Sequence, residues 1–271
     1  MAQSKGRNLQ VVRAWDLSPN MRRVVLGGED LRDFPQGNES GYIKLIFPDA
    51  PRAHPDRPVM RTYTIRAHDP VLNELTVDFA LHGDSGGLAA VWAQNAQPGS
   101  EIQIAGPGTI KQVDANSDWV LLAGDMTAMP ALLCILETLP DSTVGDVVLE
   151  LTSAEDTPDV HLPKGITLHT VINPTPHEPS TAFVDKVRSL PWRDGHGSLW
   201  AACEFNSMRA LRTYFRTERG VSRDQLYLSS YWKSGATEEE HKKIKGADAT
   251  QQKVAAMPKA FLNKLAGQVS G

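Results

Sequence analysis

The sequence has little cysteine and no long apolar segment. Its two cysteines, Cys134 and Cys203, are far apart in the chain, which excludes a C-x-x-C pair and the four thiolates of an iron–sulfur cluster. No apolar run reaches the roughly 18 residues that a membrane-spanning helix needs. The N-terminus, Met-Ala-Gln-Ser-Lys-Gly-Arg, lacks the apolar core of a signal peptide. We therefore expect a cytoplasmic protein without membrane insertion.

An excess of positive charge is also missing. The chain of 271 residues has 28 Lys and Arg against 32 Asp and Glu, so its formal net charge of −4 gives no basic footprint for nucleic acid. The 8 histidines and 2 cysteines form no metal-ligating pattern, and we predict no protein metal site. With 41% hydrophobic and 22% charged residues, the composition is that of a globular protein, and the length suits two domains.

The N-terminal half contains six short runs rich in branched and aromatic residues, separated by Gly, Pro and Asp. Leu75, Val77, Phe79 and Leu81 alternate strictly with polar or small residues, which is typical of a half-buried strand. Because no long helix separates the runs, they predict a small antiparallel β-barrel. The predicted strands are 9–13, 21–27, 42–47, 61–66, 75–81 and 101–104.

The run from Met60 to Arg66 combines several groups that a flavin coenzyme needs. Arg61 offers a cation for a diphosphate, Tyr63 offers a ring edge, and the hydroxyls of Thr62 and Thr64 offer small donors. The same residue types also occur on half-exposed sheet edges. Taken alone, the strand leaves both interpretations open.

A glycine-rich turn, Gly83–Gly87, precedes a short predicted helix. Free N–H groups and the positive dipole end at a helix start favour a diphosphate. Alternatively, Asp84 or Ser85 simply caps a helix that packs on the barrel. Asp78 and His82 lie on the polar face of the preceding strand, where a histidine is also commonly exposed to solvent.

From about Asn116 the pattern changes to alternating strands and helices. Trp119–Ala123 is a continuous apolar run typical of a buried parallel strand, and the alternation predicts a doubly wound parallel sheet that resembles nicotinamide-nucleotide-binding domains. Ligands would lie at the strand ends 124–127 and 203–205, although no G-x-G-x-x-G motif is present. Further predicted strands are 147–152, 168–172, 199–202 and 226–230, and predicted helices are 130–139, 181–189 and 207–219.

Three features near the C-terminus bear on function or structure. The first two each allow two interpretations, and the third predicts a helix. Arg209 lies on an arginine stripe that fits either a solvated helix face or a nucleotide phosphate. The segment 230–235 contains Trp232 and Lys233, which could stack on a ring system or seal a domain interface. Thr237–Glu240 is a capping box that predicts a short helix over 241–245, followed by an amphipathic tail.

Five motifs together resemble a known family. They are Tyr-Ile-Lys-Leu-Ile-Phe-Pro (42–48), Arg-Thr-Tyr-Thr (61–64), Asp-Phe-Ala-Leu-His-Gly (78–83), Ala-Gly-Asp-Met-Thr-Ala-Met-Pro (123–130) and Ser-Tyr-Trp-Lys-Ser-Gly-Ala-Thr-Glu-Glu-Glu-His (230–241). A flavin-type barrel followed by a nicotinamide-type α/β domain resembles the ferredoxin reductase superfamily. Within it, residues 8–246 are similar to the siderophore-interacting proteins, a family of FAD-dependent ferric-siderophore reductases.

The change of sequence pattern predicts a domain division, and the resemblance implies a set of site residues. An FAD-binding β-barrel would span 1–114, an NAD(P)H-binding-like α/β domain 115–235 and a helical extension 236–271. Electrons would come from NAD(P)H or reduced ferredoxin, with flavin and not a side chain carrying the chemistry. The implied cofactor-binding residues are Arg61, Thr62, Tyr63, Thr64, Asp78, Phe79, His82, Gly83, Gly86, Gly87, Asp125, Thr127, Glu204, Arg209 and Trp232. The anionic ferric siderophore would meet Lys44, Arg52, Arg57, Lys111 and Lys233.

Two departures from the family pattern leave alternatives open. Gly106–Lys111 reads Gly-Pro-Gly-Thr-Ile-Lys where the family often has Gly-Pro-Arg-Gly, so either Lys111 replaces that arginine or the pocket differs. Cys203 replaces a glycine, and is either a nicotinamide neighbour or a buried, inert thiol. Two other functions compete: a general NAD(P)H:flavin or ferredoxin-linked reductase, and a non-catalytic siderophore carrier.

Overall fold

The computed structural model describes residues 6–51, 58–81, 87–114 and 116–255. Its first part is a seven-stranded sheet in which every neighbouring pair is antiparallel, in the order β4-β3-β7-β1-β2-β6-β5. The strands are β1 (Arg7–Ser18), β2 (Met21–Gly27), β3 (Tyr42–Phe47), β4 (Val59–Thr64), β5 (Ala67–Asp69), β6 (Glu74–Ala80) and β7 (Glu101–Ala105).

The apolar alternation of the sequence becomes the inner face of this sheet. Leu75, Val77 and Phe79 on β6 are fully buried and pack with residues of all the longer strands in one core. Helix α1 (Leu88–Asn95) covers part of that core with two small buried alanines, Ala89 and Ala93. The predicted antiparallel barrel fold is therefore confirmed. The sequence did not predict β5, because three residues are too few to show a period.

The second part is a five-stranded, wholly parallel sheet with helices on both faces, in the order β10-β9-β8-β11-β12. The predicted doubly wound architecture is confirmed. Because the strand order reverses between β8 and β11, their carboxyl ends flank the crevice where such sheets bind ligands. The elements are β8 (Trp119–Gly124), α2 (Met129–Thr138), β9 (Val144–Leu151), β10 (Gly165–Ile172), α3 (Ala182–Ser189), β11 (Gly197–Glu204), α4 (Phe205–Arg212), β12 (Leu226–Trp232) and α5 (Glu238–Ala255).

Helix α2 lies between the two sheets. Every residue from Met129 to Leu136 is buried, as expected for a helix that is apolar on all sides. Its core includes Met21 and Ala80 from the barrel as well as strands of the parallel sheet. Within the described ranges, no helix combines the length and apolarity needed to cross a membrane.

Helix α5 is longer than the short helix that the capping box predicts, whereas the predicted helical C-terminus is confirmed as far as Ala255. The capping box forms as expected, since Glu240 N donates to Thr237 Oγ1 at 3.3 Å and Thr237 N donates to Glu240 Oε2 at 2.8 Å. The predicted end at Lys245 is wrong, because the helix continues through Gly246 to Ala255. A mid-helix glycine costs about 1 kcal/mol, and contacts of α5 with β12 and α4 offset that cost.

Acidification should weaken the attachment of α5. His241 is buried against Ser230, and burial lowers its pKa, helped by Lys245 and Lys233 and opposed by Glu238 and Glu204. Because the folded-state pKa lies below the unfolded value of about 6.5, this stability is present above pH 6.5 and lost as pH falls through the folded pKa.

We expect the free energy of unfolding to fall between pH 7 and 5 by up to about 1.4 kcal/mol per pH unit for this proton. Denaturant titrations of wild type and His241→Gln measure it, and the variant should lack this part of the slope. The exposed His161 provides the control His161→Gln, which should keep the wild-type slope. Equal slopes in all three proteins would contradict the prediction.

Candidate functional site

Hydrogen-bond donors of Arg61 and Thr62 on β4 bind carboxylate oxygens of α5. Arg61 Nη1 donates to Glu239 Oε1 at 2.7 Å, and it also donates to the Met60 carbonyl oxygen at 2.9 Å. Thr62 donates to the Glu238 carboxylate through its backbone N–H at 3.3 Å and its hydroxyl at 3.1 Å. The acidic start of α5 therefore lies directly on the strand predicted to hold a diphosphate.

The donor set of β4 fits the diphosphate of FAD. Phosphate oxygens are anionic acceptors, like the carboxylate oxygens that Arg61 and Thr62 already bind here. A guanidinium beside an N–H and a hydroxyl suits that group, because a guanidinium stays charged and presents several donors. Just before α1, a Cβ placed on Gly87 would meet no atom of the described residues within 4 Å, and the role of Gly87 toward FAD stays a prediction.

The ring of Tyr63 is held in place by an aromatic column of the barrel core. Its centroid lies 4.4 Å from that of Phe79, which in turn lies 5.8 Å from Trp92. Burial raises the pKa of the Tyr63 phenol, so it remains a neutral donor at physiological pH. Thr64 beside it is buried, whereas Phe79 lies wholly inside the core, behind Tyr63. The roles of all three toward flavin stay predictions.

Asp78 is a buried carboxylate paired with arginines of the barrel. Arg23 Nε and Nη2 donate to its two oxygens at 2.6 and 2.7 Å, and Arg66 Nε lies 3.8 Å away. Arg66 also binds Glu137 of α2, with Nη1 donating at 2.8 Å. The predicted contact of Asp78 with FAD stays a prediction. Five predicted site residues lie outside the described residues: His82, Gly83, Gly86, Arg52 and Arg57.

A cavity of about 810 Å³ opens at the carboxyl ends of β8, β9 and β11, where the topology predicts a ligand. Asp125 lies at its base. Its Oδ1 accepts hydrogen bonds from Thr127 N at 3.0 Å and Thr127 Oγ1 at 2.6 Å, while Oδ2 accepts one from Trp232 Nε1 at 2.8 Å. The structure thus brings Asp125 and Thr127, which are predicted to face the nicotinamide nucleotide, together with Trp232 from the predicted cofactor-binding set.

The cavity is acidic. Glu204 accepts hydrogen bonds from Asn206 N, from Ser207 N at 3.3 Å and from Ser234 N at 3.2 Å, and so caps α4. Glu150, at the end of β9, was missed by the sequence analysis, although its strand end faces the same crevice. Burial raises the pKa of Asp125 and of Glu150, and for Glu150 the neighbouring carboxylates add to the rise.

Cys203 precedes this acidic cavity but is not exposed to it. Its side chain is 1% exposed and packs in the core on the α3–α4 side of the sheet. Burial, with the nearby carboxylates of Asp125, Glu150 and Glu204, raises the pKa of its thiol well above the ordinary value. A neutral, enclosed thiol is a poor nucleophile, which favours the second of the two interpretations, a buried and inert thiol.

Arg209 faces α5 and is not among the residues that line the cavity with Asp125. Its Nε lies 3.5 Å from Asp248, and its guanidinium carbon lies 6.0 Å from the centroid of the Phe205 ring. Arg212 binds Asp248 more closely, with Nη1 and Nη2 donating at 2.7 and 2.9 Å. The structure does not bring Arg209 together with Thr127, so its role toward a nucleotide phosphate stays a prediction.

The three described lysines predicted to meet the siderophore lie on different segments. Lys44 on β3 pairs in register with Thr62 on β4, close to the Arg61 donors. Lys233 follows β12, with its Nζ 5.3 Å from the Phe205 ring centroid. The exposed Lys111 follows β7, and its carbonyl accepts from Trp200 Nε1 at 3.0 Å. Among the residues that the structure describes, no three His, Cys, Asp or Glu side chains are grouped to hold a metal.

Comparisons with known proteins match both halves of the chain. The family model of the siderophore-interacting FAD-binding domain matches residues 10–111, and that of the siderophore-interacting protein matches 117–235. Ferric vibriobactin reductase ViuB of Vibrio cholerae is 35% identical over 249 residues, which cover 86% of this chain and 91% of that protein. The chain belongs to the siderophore-interacting protein family. The resemblance in sequence is thereby confirmed.

Solved structures support the same assignment. The siderophore-interacting protein SipS from Aeromonas hydrophila superposes with a TM-score of 0.80 at 33% identity, covering 91% of this chain and 99% of that one. The FAD/NAD-binding domain of nitric oxide dioxygenase from Vibrio cholerae has a TM-score of 0.61 at 16% identity, covering 84% of this chain and 99% of that one. This second likeness shows that the fold is ferredoxin reductase-like.

Proposed function

We propose that the chain is an FAD-dependent ferric-siderophore reductase of the cytoplasm, which takes electrons from NAD(P)H or reduced ferredoxin and releases Fe(II). The observation that carries the proposal is the donor set of Arg61 and Thr62 beside the fixed ring of Tyr63. The 35% identity to a ferric vibriobactin reductase supports it. The division into 1–114, 115–235 and 236–271 stays part of the proposal.

The side chains bind and orient, while the cofactor supplies the redox chemistry. The chemistry that FAD would supply when bound is the conversion of two-electron donation by a nicotinamide into one-electron reduction of Fe(III). Arg61 and Thr62 would hold the diphosphate of FAD, and Tyr63, fixed by the core behind it, would contact the edge of its ring system. Asp125 and Trp232, which are hydrogen-bonded to each other, would contact the nicotinamide in the acidic cavity. Three hydrogen bonds orient the Asp125 carboxylate.

Iron enters as part of the substrate. The siderophore saturates the metal, so the protein needs no iron ligand and instead attracts the anionic complex by charge. Reduction weakens binding of iron by hard oxygen ligands, and release follows. We assign the attraction to Lys44, Lys111 and Lys233, with Arg52 and Arg57.

Two measurements on the purified chain test the function. An absorbance spectrum before and after denaturation shows whether flavin is bound and released. Steady-state assays then compare ferric catecholates and hydroxamates as acceptors, with NADH, NADPH and reduced ferredoxin as donors. Colourless protein that binds ferric chelates without consuming a donor would establish a carrier. Preference for free flavin or a redox protein as acceptor would establish a general reductase.

Charge reversal at the three lysines should weaken substrate binding. One triple variant combines Lys44→Glu, Lys111→Glu and Lys233→Glu. We expect its KM for a ferric siderophore to rise by about 10-fold or more at low salt, because steering by exposed charges is lost. The increase should shrink as ionic strength rises. The matched control reverses Lys164, Lys186 and Lys243, which the proposal leaves outside the substrate site. An unchanged KM in the first triple variant would overturn this assignment.

A further inference from the structure

The first turn of α5 carries three consecutive glutamates, and two of them are turned onto β4. Glu239 binds the Arg61 guanidinium at 2.7 Å. Glu238 accepts from the N–H and hydroxyl of Thr62 and also lies 2.8 Å from Lys242 Nζ. The third, Glu240, turns back to cap the helix at Thr237. Of the three glutamates, only Glu240 is needed to cap the helix. Glu238 and Glu239 instead bind the donors of β4.

The second domain holds these glutamates in place. His241 Nε2 lies 2.8 Å from Ser230 Oγ, and Lys245 Nζ donates to the Ser230 carbonyl at 3.0 Å. One turn later, Asp248 is bound by both terminal nitrogens of Arg212. Helix α5 therefore spans from β12 and α4 to the barrel strand β4. The contact between Arg61 and Glu239 joins residues 178 positions apart in the chain.

The contact with Arg61 favours the ionised form of Glu239. Partial burial disfavours its ionised form, but the hydrogen bond and charge of Arg61, with Lys242, outweigh burial and lower its pKa. The carboxylate is therefore ionised at neutral pH. It is 31% exposed and Arg61 is 19% exposed, so solvent screens the pair only in part.

The same donors cannot serve two anions at once. Resting on the proposed FAD site at β4, we propose that Glu238 and Glu239 are affinity-determining residues of the flavin site, because their carboxylates occupy the donors of Arg61 and Thr62 that the FAD diphosphate needs. FAD must displace the two carboxylates, and any that stay nearby repel its phosphates. By linkage, FAD binding and docking of the first turn of α5 oppose each other to the same extent.

Removing the two charges should tighten FAD binding. Full-length apoprotein is prepared in three forms: wild type, the double variant with both Glu238→Gln and Glu239→Gln, and the control Glu240→Gln. In the control, glutamine still completes a capping box. FAD affinity is measured by flavin fluorescence. We expect the double variant to bind FAD about 10-fold more tightly, as for the loss of partly screened charge pairs. The control should match wild type.

Riboflavin, which lacks phosphate, serves as the second probe and should bind all three proteins equally. A gain for riboflavin as large as that for FAD, or no gain for FAD, would overturn the proposal. Hydrogen exchange gives an independent test on wild type: FAD should speed exchange in the first turn of α5, and slower exchange there would overturn the proposal. If wild-type apoprotein binds no FAD, the proposed flavin function itself fails.

Discussion

Arg61→Ala is expected to purify with little or no flavin. The variant loses the guanidinium that faces the anionic oxygens at β4, and a charged hydrogen bond contributes about 1.5–3 kcal/mol. The dissociation constant for FAD should therefore rise by about 10- to 100-fold. Flavin content per chain after purification, and FAD titration of the apoprotein, measure the effect directly.

Two further variants show whether this loss belongs to the site. Arg61→Lys keeps the positive charge but not the planar fork, so it should fall between wild type and Arg61→Ala. Arg13→Ala removes an arginine of the same sheet whose partner is Glu74, and it should bind FAD normally. Normal flavin content in Arg61→Ala would show that β4 does not hold the diphosphate.

Asp78→Asn should cause the largest loss of stability among substitutions near the flavin strand. The change leaves Arg23 and Arg66 facing a neutral amide in a site where the carboxylate is 2% exposed. Losing one partner of a fully buried ion pair costs about 3–5 kcal/mol. Because Arg23 is itself 24% exposed, we expect about 2–3 kcal/mol.

The stability of Asp78→Asn is measured on apoprotein by denaturant titration, so that cofactor binding does not contribute. Asp16→Asn is the matched control, because Asp16 pairs with Arg22 at 2.6 Å but is 63% exposed. Its cost should be about 0–1 kcal/mol. If Asp78→Asn leaves apoprotein stability unchanged and weakens only FAD binding, Asp78 is a cofactor ligand and not a structural ion pair.

The sequence predicts those parts of the fold that local periodicity encodes. Alternation at Leu75, Val77 and Phe79 was sufficient for the barrel, and the apolar run 119–123 was sufficient for the parallel sheet. A helical extension was expected at the C-terminus, but the capping box alone predicted a helix that ends at Lys245. Its continuation beyond Gly246 coincides with contacts of Lys245 and Asp248 to distant segments, which no local pattern contains.

The candidate site divides in the same way. Because ligands bind at the carboxyl ends of parallel strands, the sequence predicted that Asp125 and Thr127 lie in the crevice. It did not predict the hydrogen bond from Trp232 to Asp125, because the two residues are 107 positions apart. Glu150 could have been found by the same rule, because it stands at the end of the strand next to β8. The pairing of Glu239 with Arg61 has no signal in the sequence, since both residues are ordinary surface types.

The enclosed helix α2 has a consequence for relative movement of the two sheets. It begins just after the Asp125–Thr127 turn, and at its other end Glu137 binds Arg66, two residues beyond β4. Its eight buried residues are packed by both sheets, so sliding one sheet past the other would open cavities along its whole length. The helix therefore ties the two sheets together. In the proposed reductase it would act as a fixed spacer between the flavin strand β4 and the cavity that Asp125 lines, so their separation would be set when the chain folds.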